Sequence, residues 1–363
     1  MIVLVHNILP PYRVSLFNAI HEKLAGRFTV LLVRETHRKR RKWSIPWDEV
    51  SFNAVRLRSW GTEIGRTAID LTFGVRAKLD ELGADVVVVA GWNLMASWVA
   101  LRWCRQHQVP AVAWVESWSS SGSFRGGASQ WIRRRFLRSC SAAIVPGAAA
   151  KAYVEDLAPG LECFTMPNSV EAESLRSLPA PTAGGCALFV GELSARKGFD
   201  LILECTSDLL RQFGRLLVAG TGPMSPGIHE VPGLEYTGFI EGEQYVEAMR
   251  QASVVLLPSR RDPWPLVAVE ALIARRPLVV GPGVGSAADL ARVLPSGVFP
   301  MREATGKALI DAANEAQVAT VDQAARGMFT PGDSATRFIE AVRLVSTPSP
   351  DSVWPENDEI ADP

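Results

Sequence analysis

Residues 252–272 read ASVVLLPSRRDPWPLVAVEAL, and a change of period inside them decides the fold. Val254–Leu257 is an apolar run of strand character that stops at Pro258-Ser259. A polar loop, Arg260–Pro265, follows. From Leu266 the spacing turns helical, with Leu266, Val269 and Leu272 on one face. Strand, short loop and helix in that order put the loop at the carboxyl edge of a parallel sheet, ahead of the unpaired N–H groups of a helix start. Such a start is a ready anion site. Two acids eight residues apart bracket it: Asp262 in the loop and Glu270 a turn inside the helix. Glu270 is placed to accept hydrogen bonds from a ribose or sugar hydroxyl pair.

The same alternation extends in both directions. Strand-like runs occur at Ile2–Val5, Phe28–Val33, Val86–Val89, Ala111–Val115, Ala142–Val145, Ala187–Val190, Arg215–Val218 and Leu278–Val280. Helical patterns separate them at Arg13–Leu24, Ile69–Leu82, Leu94–Gln106, Leu201–Gln212 and Tyr245–Gln251. Alternating units of this kind predict an α/β chain with parallel sheets covered by helices on both faces. The pattern pauses at Asn168–Gly185, where Ser, Pro, Ala and Gly collect, then restarts at Ala187. At 363 residues two domains are expected. They divide as 1–167, a linker over 168–185, and 186–330. A helix over 331–345 and a Pro-rich, acidic, disordered tail over 346–363 complete the expectation.

Composition excludes several classes. Hydrophobic residues make up 47% and charged residues 21%, a globular balance. Cys104, Cys140, Cys163, Cys186 and Cys205 show no metal-ligand or disulfide spacing, so no metal or cofactor is expected and a reducing cytoplasm fits. The opening MIVLVHNILPPYR is apolar for only five residues, too few for a signal peptide core, and no run has the length of a membrane span. The net charge of zero conceals an asymmetry: residues 1–180 carry 23 basic against 15 acidic side chains, the remainder 15 against 23. Either the first half meets something anionic, or the halves attract each other across a cleft. With no recognised motif and a neutral chain, nucleic acid is not an expected partner.

Five motifs in order carry a family resemblance. They are FVGELSARKGFDLIL (Phe189–Leu203), LLVAGTGP (Leu216–Pro223), EYTGFIEGEQYVEAMRQA (Glu235–Ala252), the 252–272 stretch, and VGSAADL with SGVFP (Val284–Leu290, Ser296–Pro300). Together they resemble the retaining glycosyltransferases of family 4, over roughly Pro167–Pro300. The resemblance implies the GT-B fold: two doubly wound, Rossmann-like domains facing across a cleft, the last helix crossing back to brace the first. It implies a transferase moving sugar from a nucleotide-sugar donor, UDP- or GDP-linked, to a sugar, lipid-linked or natural-product acceptor, with retention and without a metal.

Site residues follow from the same resemblance. Departure of the donor's diphosphate develops negative charge, which needs cations and N–H donors. Arg196 and Lys197, in the loop that opens at Gly191, are the cations expected. The family carries a basic residue where this chain has Glu192, so Arg196 is the candidate to compensate. Gly220 and Gly222 permit backbone approach to a nucleotide. Phe239 and Ile240 resemble the segment that holds the nucleobase. Asp262 faces the transferred sugar, one methylene shorter than the family's Glu. The N–H groups of Leu266 and Val267 reach the phosphate or sugar, because Pro265 has none to give. Glu270 holds the ribose.

The first half resembles the family less closely. HNILPPYRVSLFNAI (His6–Ile20) looks like the opening of a subset of these enzymes with a Pro-x-Arg loop. His6, Pro11, Tyr12, Arg13, Trp92 and Trp118 are the acceptor-side candidates. Glu116, in WVESW, is the candidate to orient the acceptor or assist its deprotonation. Two clusters, THRKRRKW (Thr36–Trp43) and QWIRRRFLRS (Gln130–Ser139), set aromatics beside arginine. The second, through Arg133–Arg138, reads either as a solvated face or as a contact with the inner face of a membrane. The competing function is a nucleotide-sugar-binding protein with degraded catalysis, for which Glu192, Asp262 and Pro265 speak.

Overall fold

The computed structural model describes residues 1–34, 45–64, 67–119, 127–181 and 184–346. The basic cluster at Thr36–Trp43 falls outside the described residues, as does the tail after residue 346. The strands are β1 (Ile2–His6), β2 (Phe28–Leu32), β3 (Asn53–Arg56), β4 (Arg58–Ile64), β5 (Thr67–Phe73), β6 (Val86–Ala90), β7 (Ala111–Trp114), β8 (Ala142–Val145), β9 (Glu162–Thr165), β10 (Cys186–Val190), β11 (Leu216–Ala219), β12 (Leu234–Gly238), β13 (Ala252–Leu257), β14 (Leu278–Val280) and β15 (Val298–Pro300).

Two all-parallel sheets result, in the orders β3-β2-β1-β6-β7-β8-β9 and β12-β11-β10-β13-β14-β15. Burial on both sides explains why their strands are near-continuous Val, Leu and Ile runs. Successive residues of β1 serve opposite faces: Val3 and Val5 enter one core cluster, Ile2 and Leu4 the other. Each sheet reverses its winding once, between β1 and β6 and between β10 and β13. In open parallel sheets the crevice outside such a reversal is where ligands bind. It falls at His6 and Gly91 in one sheet, and at Gly191 and Pro258 in the other.

The helix Pro331–Val345, capped by the Thr330 hydroxyl, returns from the second half to pack on the first helix, Val14–Lys23. Its Phe338 meets Phe28 and Trp114 at ring-centroid distances of 5.8 and 5.9 Å. The segment between the sheets is more than a spacer. It contains the short helix Glu173–Arg176 and buries Val170, Ala172, Leu175 and Leu178 in the core of the second half.

Three expectations need correction. The helix predicted over Ile69–Leu82 begins only at Val75; residues before it form β5, paired antiparallel with β4 in a two-stranded ribbon outside both sheets. Alternating apolar and polar residues in TAIDLTF are strand-periodic, and Gly74 at φ +84° separates the two elements. The helix predicted over Leu201–Gln212 is two helices, Phe199–Glu204 and Thr206–Phe213, broken at Cys205. Strands β3 and β9, absent from the strand-like runs, are half exposed and lack the apolar signal that marks those runs.

Candidate functional site

The loop after β13 is wedged between two others, and glycines permit the fit. A Cβ at Gly198 would lie 2.1 Å from the Pro258 carbonyl oxygen, one at Gly283 2.0 Å from the Arg260 carbonyl carbon, and one at Gly285 2.4 Å from the Pro263 oxygen. Backbone hydrogen bonds fix the register. The Arg260 N–H donates to Arg196 O (3.0 Å), Asp262 N–H to Gly283 O (2.8 Å) and Gly285 N–H to Asp262 O (2.8 Å). Asp262 is thereby held on both sides of its peptide, and its buried carboxylate pairs with Lys197.

Behind Asp262 the helix Leu266–Ile273 starts with no side-chain cap. No described group accepts from the N–H of Leu266 or Val267, so the helix start keeps two unsatisfied donors. One turn in, half-buried Glu270 accepts a hydrogen bond from the Tyr245 hydroxyl. Burial raises the Glu270 carboxyl above its usual range, an effect the Tyr245 bond partly offsets, and burial likewise pushes the Tyr245 hydroxyl well up.

Arg196 is placed otherwise than its compensating role requires. Its guanidinium is engaged by the Glu192 carboxylate and by the Arg261 carbonyl oxygen at 3.0 Å. Glu192 therefore does not leave a gap for Arg196 to fill; it captures it. Arg261, which sequence reasoning passed over, is exposed and has no side-chain partner among the described residues. It adjoins Asp262 and is the loop's uncommitted cation. Gly191, at φ +155°, and Gly220, at φ +131°, pack loop on loop, since a Cβ at Gly220 would meet the Gly191 oxygen at 1.8 Å. Gly222 does the same against Leu193, at 2.4 Å from its oxygen. Close approach between loops accounts for these glycines without a ligand. Phe239 stands 49% exposed just past β12, an aromatic face available for stacking, with half-buried Ile240 beside it.

In the first half a cavity of about 250 Å³ opens at the β1/β6 reversal, lined among others by His6, Trp92, Asn93, Trp114, Glu116 and Ser117. The 3-10 turn Pro11–Arg13 turns Arg13 inward, where it is 2% exposed. Arg13 pairs with Glu116, donates to the Asn168 side-chain oxygen at 3.1 Å and lies 4.5 Å from the Trp114 ring centroid. It thus positions Glu116 and does not face the cavity itself. Pro11, Tyr12 and Trp118 do not line the cavity either: Tyr12 lies against Arg13, and Trp118 sits half-buried beyond Glu116.

His6 contacts the Ile8 carbonyl through Nδ1 at 2.6 Å, so Nδ1 carries the proton and Nε2 is an acceptor. Burial, then the charge of Arg13, lower its pKa to about 4. The ring is neutral at pH 7. The described residues contain no group of three or more His, Cys, Asp or Glu disposed to hold a metal.

The carboxyl edges of the two sheets meet beyond β8. Asp289 accepts from the Ala148 N–H at 3.0 Å, and a Cβ on Gly147 would strike Asp289 at 2.4 Å and the Trp264 ring at 2.6 Å. Trp264 is two residues from Asp262, so the carboxylate loop of one half abuts the other.

Two family models match the chain: "Glycosyl transferase 4-like domain" over residues 19–168 and "Glycosyl transferases group 1" over residues 185–319. A glycosyltransferase of Methanocaldococcus jannaschii is 28% identical over 120 residues, 31% of this chain and 30% of that protein. The alpha-D-kanosaminyltransferase of Streptomyces kanamyceticus is 32% identical over 102 residues, 25% of this chain and 26% of that one. The chain thus spans about a quarter to a third of the length of these curated relatives. Among solved structures, sucrose-phosphate synthase from Thermosynechococcus elongatus superposes with a TM-score of 0.68 at 16% identity, covering 94% of this chain and 98% of that one. HepE of Anabaena, solved with UDP-glucose, gives 0.64 at 14%, covering 95% and 99%. At such identities the likeness is one of fold.

Proposed function

We propose that this chain, which belongs to the group 1 glycosyl transferases and has the GT-B fold, moves a sugar from a nucleotide-sugar donor to an acceptor hydroxyl with retention at the anomeric carbon and without a metal. The observation that carries the reading is the Lys197–Asp262 pair, set at the β10/β13 reversal beside the open start of the Leu266–Ile273 helix. A diphosphate fits there: Lys197, Arg261 and the N–H groups of Leu266 and Val267 supply positive charge and donors where the leaving group gains negative charge. Glu270 takes the ribose hydroxyls and Phe239 the base. The UDP-sugar in the HepE structure supports a donor of that class.

The acceptor enters the cavity of the first half, where Trp92 offers apolar surface and Glu116, held by Arg13, and neutral His6 accept hydrogen bonds from its hydroxyls. The anomeric C–O bond to phosphate breaks as the acceptor oxygen bonds on the same face, and the acceptor's proton passes to the departing phosphate oxygen. A cytoplasmic location, peripheral on the membrane through the arginine-rich helix Gly127–Leu137, belongs to the same reading.

Incubation with a panel of UDP- and GDP-sugars tests it, with nucleoside diphosphate release followed by mass spectrometry and product anomers by NMR. Release of diphosphate and a product of the donor's own anomeric configuration are expected; an inverted product overturns retention. A second reading, a nucleotide-sugar-binding protein with degraded catalysis, has one observation in its favour, the capture of Arg196 by Glu192. Donor binding with no release under any acceptor supports that one instead.

A further inference from the structure

The basic face expected at Arg133–Arg138 is not a single face. Arg133 turns inward, donating to the Tyr153 hydroxyl at 2.8 Å and lying 5.4 Å from the Trp92 ring centroid, while Phe136 and Leu137 are buried. The outward stripe is Trp131, Arg135 and Arg138, spaced i, i+4 and i+7. Trp131 is 61% exposed, with the Arg135 guanidinium 5.5 Å from its ring centroid. Opposite lies the helix Met95–His107, whose exposed Arg102 and Arg105 sit one turn apart. Between the helices runs a groove of about 550 Å³, lined by all four arginines together with Trp98 and Ser139. No carboxylate lines it, and none of the four guanidinium groups has an acidic partner among the described residues.

Four like charges around one groove raise its positive potential and draw anions to it. A soluble phosphate compound satisfies the charge but makes no use of Trp131 or of Ile132, 40% exposed on the neighbouring flank. An anionic bilayer uses both, because arginine heads meet lipid phosphates while Trp and Ile enter the headgroup boundary. We propose that Trp131, Arg135 and Arg138, with Arg102 and Arg105 across the groove, form a docking surface for an anionic lipid bilayer. The proposal deepens the peripheral location read above and rests on the acceptor-cavity reading for one consequence. The inner side of the same helix packs behind that cavity, with Arg133 and Phe136 against Trp92, one of the residues that line it. A docked bilayer then lies about one helix diameter, ~10 Å, from the cavity, within reach of a lipid-borne acceptor.

The test is co-sedimentation of the full chain with phosphatidylcholine vesicles and with vesicles in which about a third of the lipid is phosphatidylglycerol. Binding to the anionic vesicles alone is expected, with most of it lost in 0.5 M salt, roughly a 4 Å screening length. Arg135→Gln with Arg138→Gln should weaken binding about 30-fold, as expected for two basic side chains near an anionic surface. Arg102→Gln with Arg105→Gln, on the other helix, should do the same, and Trp131→Ala should weaken it several-fold. Equal binding to both vesicle types, or full binding by both double variants, overturns the proposal. So does equal competition by glycerol phosphate or a short RNA at millimolar concentration, since the groove would then be a general anion site. The assay contains no donor or acceptor, so its failure leaves the transferase reading standing. Intact vesicle binding without diphosphate release in the donor panel supports the surface and fails the transferase reading alone.

Discussion

The two walls of the cleft are held by different means. On the proposed donor side, three loops interlock through backbone: Gly198, Gly283 and Gly285 leave no room for a Cβ, and Asp262 is bonded through both its N–H and its carbonyl. On the proposed acceptor side the geometry rests on one buried side chain, Arg13, which fixes Glu116 from 103 residues away and Asn168 from 155. Backbone-built geometry tolerates change in the side chains it presents, because the loop does not depend on them. A wall built on an ion pair fails when either partner is lost, and leaves the other uncompensated.

The largest effect is expected at the donor wall. Lys197→Ala should lower turnover about 100- to 1000-fold, in the range for loss of one donor to a developing charge, with a smaller change in donor affinity and an unchanged fold. Single-turnover kinetics beside calorimetric donor titration read both. A loss confined to donor affinity would assign Lys197 to ground-state binding. At the acceptor wall, Glu116→Ala should cut transfer about 100-fold while donor binding stays near wild type. Arg13→Gln should reproduce that loss and also lower the melting temperature, since it leaves Glu116 and Asn168 without their buried partner. Melting of Arg13→Gln at the temperature of Lys197→Ala would break the contrast drawn between the walls.

Smaller effects sharpen the comparison. Glu270→Gln keeps volume but removes the charge proposed to accept two ribose hydroxyls, and donor affinity should fall about tenfold by calorimetry. Unchanged affinity would move the ribose elsewhere. His6 gives the acceptor wall a pH signature. Its folded pKa of about 4 lies below the ordinary 6.5, so the unfolded chain binds the proton first as pH falls. Its contribution to stability is complete above about 6.5 and declines steadily down to about 4. His6→Gln should flatten the melting profile across that window, and a variant with the wild-type slope would exclude His6 as its source.

What the sequence disclosed follows the same division. β13, its loop and the Leu266–Ile273 helix were legible because a strand period gives way to a helical one within a few residues, and because the glycines of interlocking loops recur in a fixed order. The Arg13–Glu116 and Tyr245–Glu270 pairs join residues 103 and 25 apart, and no local period records them. The capture of Arg196 by Glu192 was closer to hand, an opposite-charge pair at i, i+4. Family position, which sets a basic residue where Glu192 stands, conceals that reach. Arg261 was missed for the converse reason: an arginine beside another arginine reads as a solvated loop until its neighbour Arg260 is found committed to Asp200. The Ile69–Phe73 part of β5 falls inside the helix expected over Ile69–Leu82 because apolar residues continue without a break across Gly74 into the helix beginning at Val75.

The smallest expected effect lies where the walls touch. Asp289, 8% exposed, belongs to the second half but serves the helix Ala148–Leu157 of the first, supplying the acceptor that Gly147, at its N-cap, has no side chain to provide. Gly147 has an extended φ of −179°, so the glycine answers to space and not to conformation: Asp289 and Trp264 occupy the volume a Cβ needs. A lost helix cap costs roughly 0.5–2 kcal/mol. Asp289→Ala should therefore lower the melting temperature by a few degrees and, because Trp264 lies two residues from Asp262, reduce turnover a few-fold. Asp289→Asn keeps an acceptor oxygen and should recover most of the stability. Gly147→Ala approaches the contact from the other side, forcing Trp264 away from the first half, and should reduce turnover more than stability. If Asp289→Ala and Gly147→Ala both melt and turn over as wild type, the donor loop is set by its own interlocked backbone alone, and the two walls act independently across this contact.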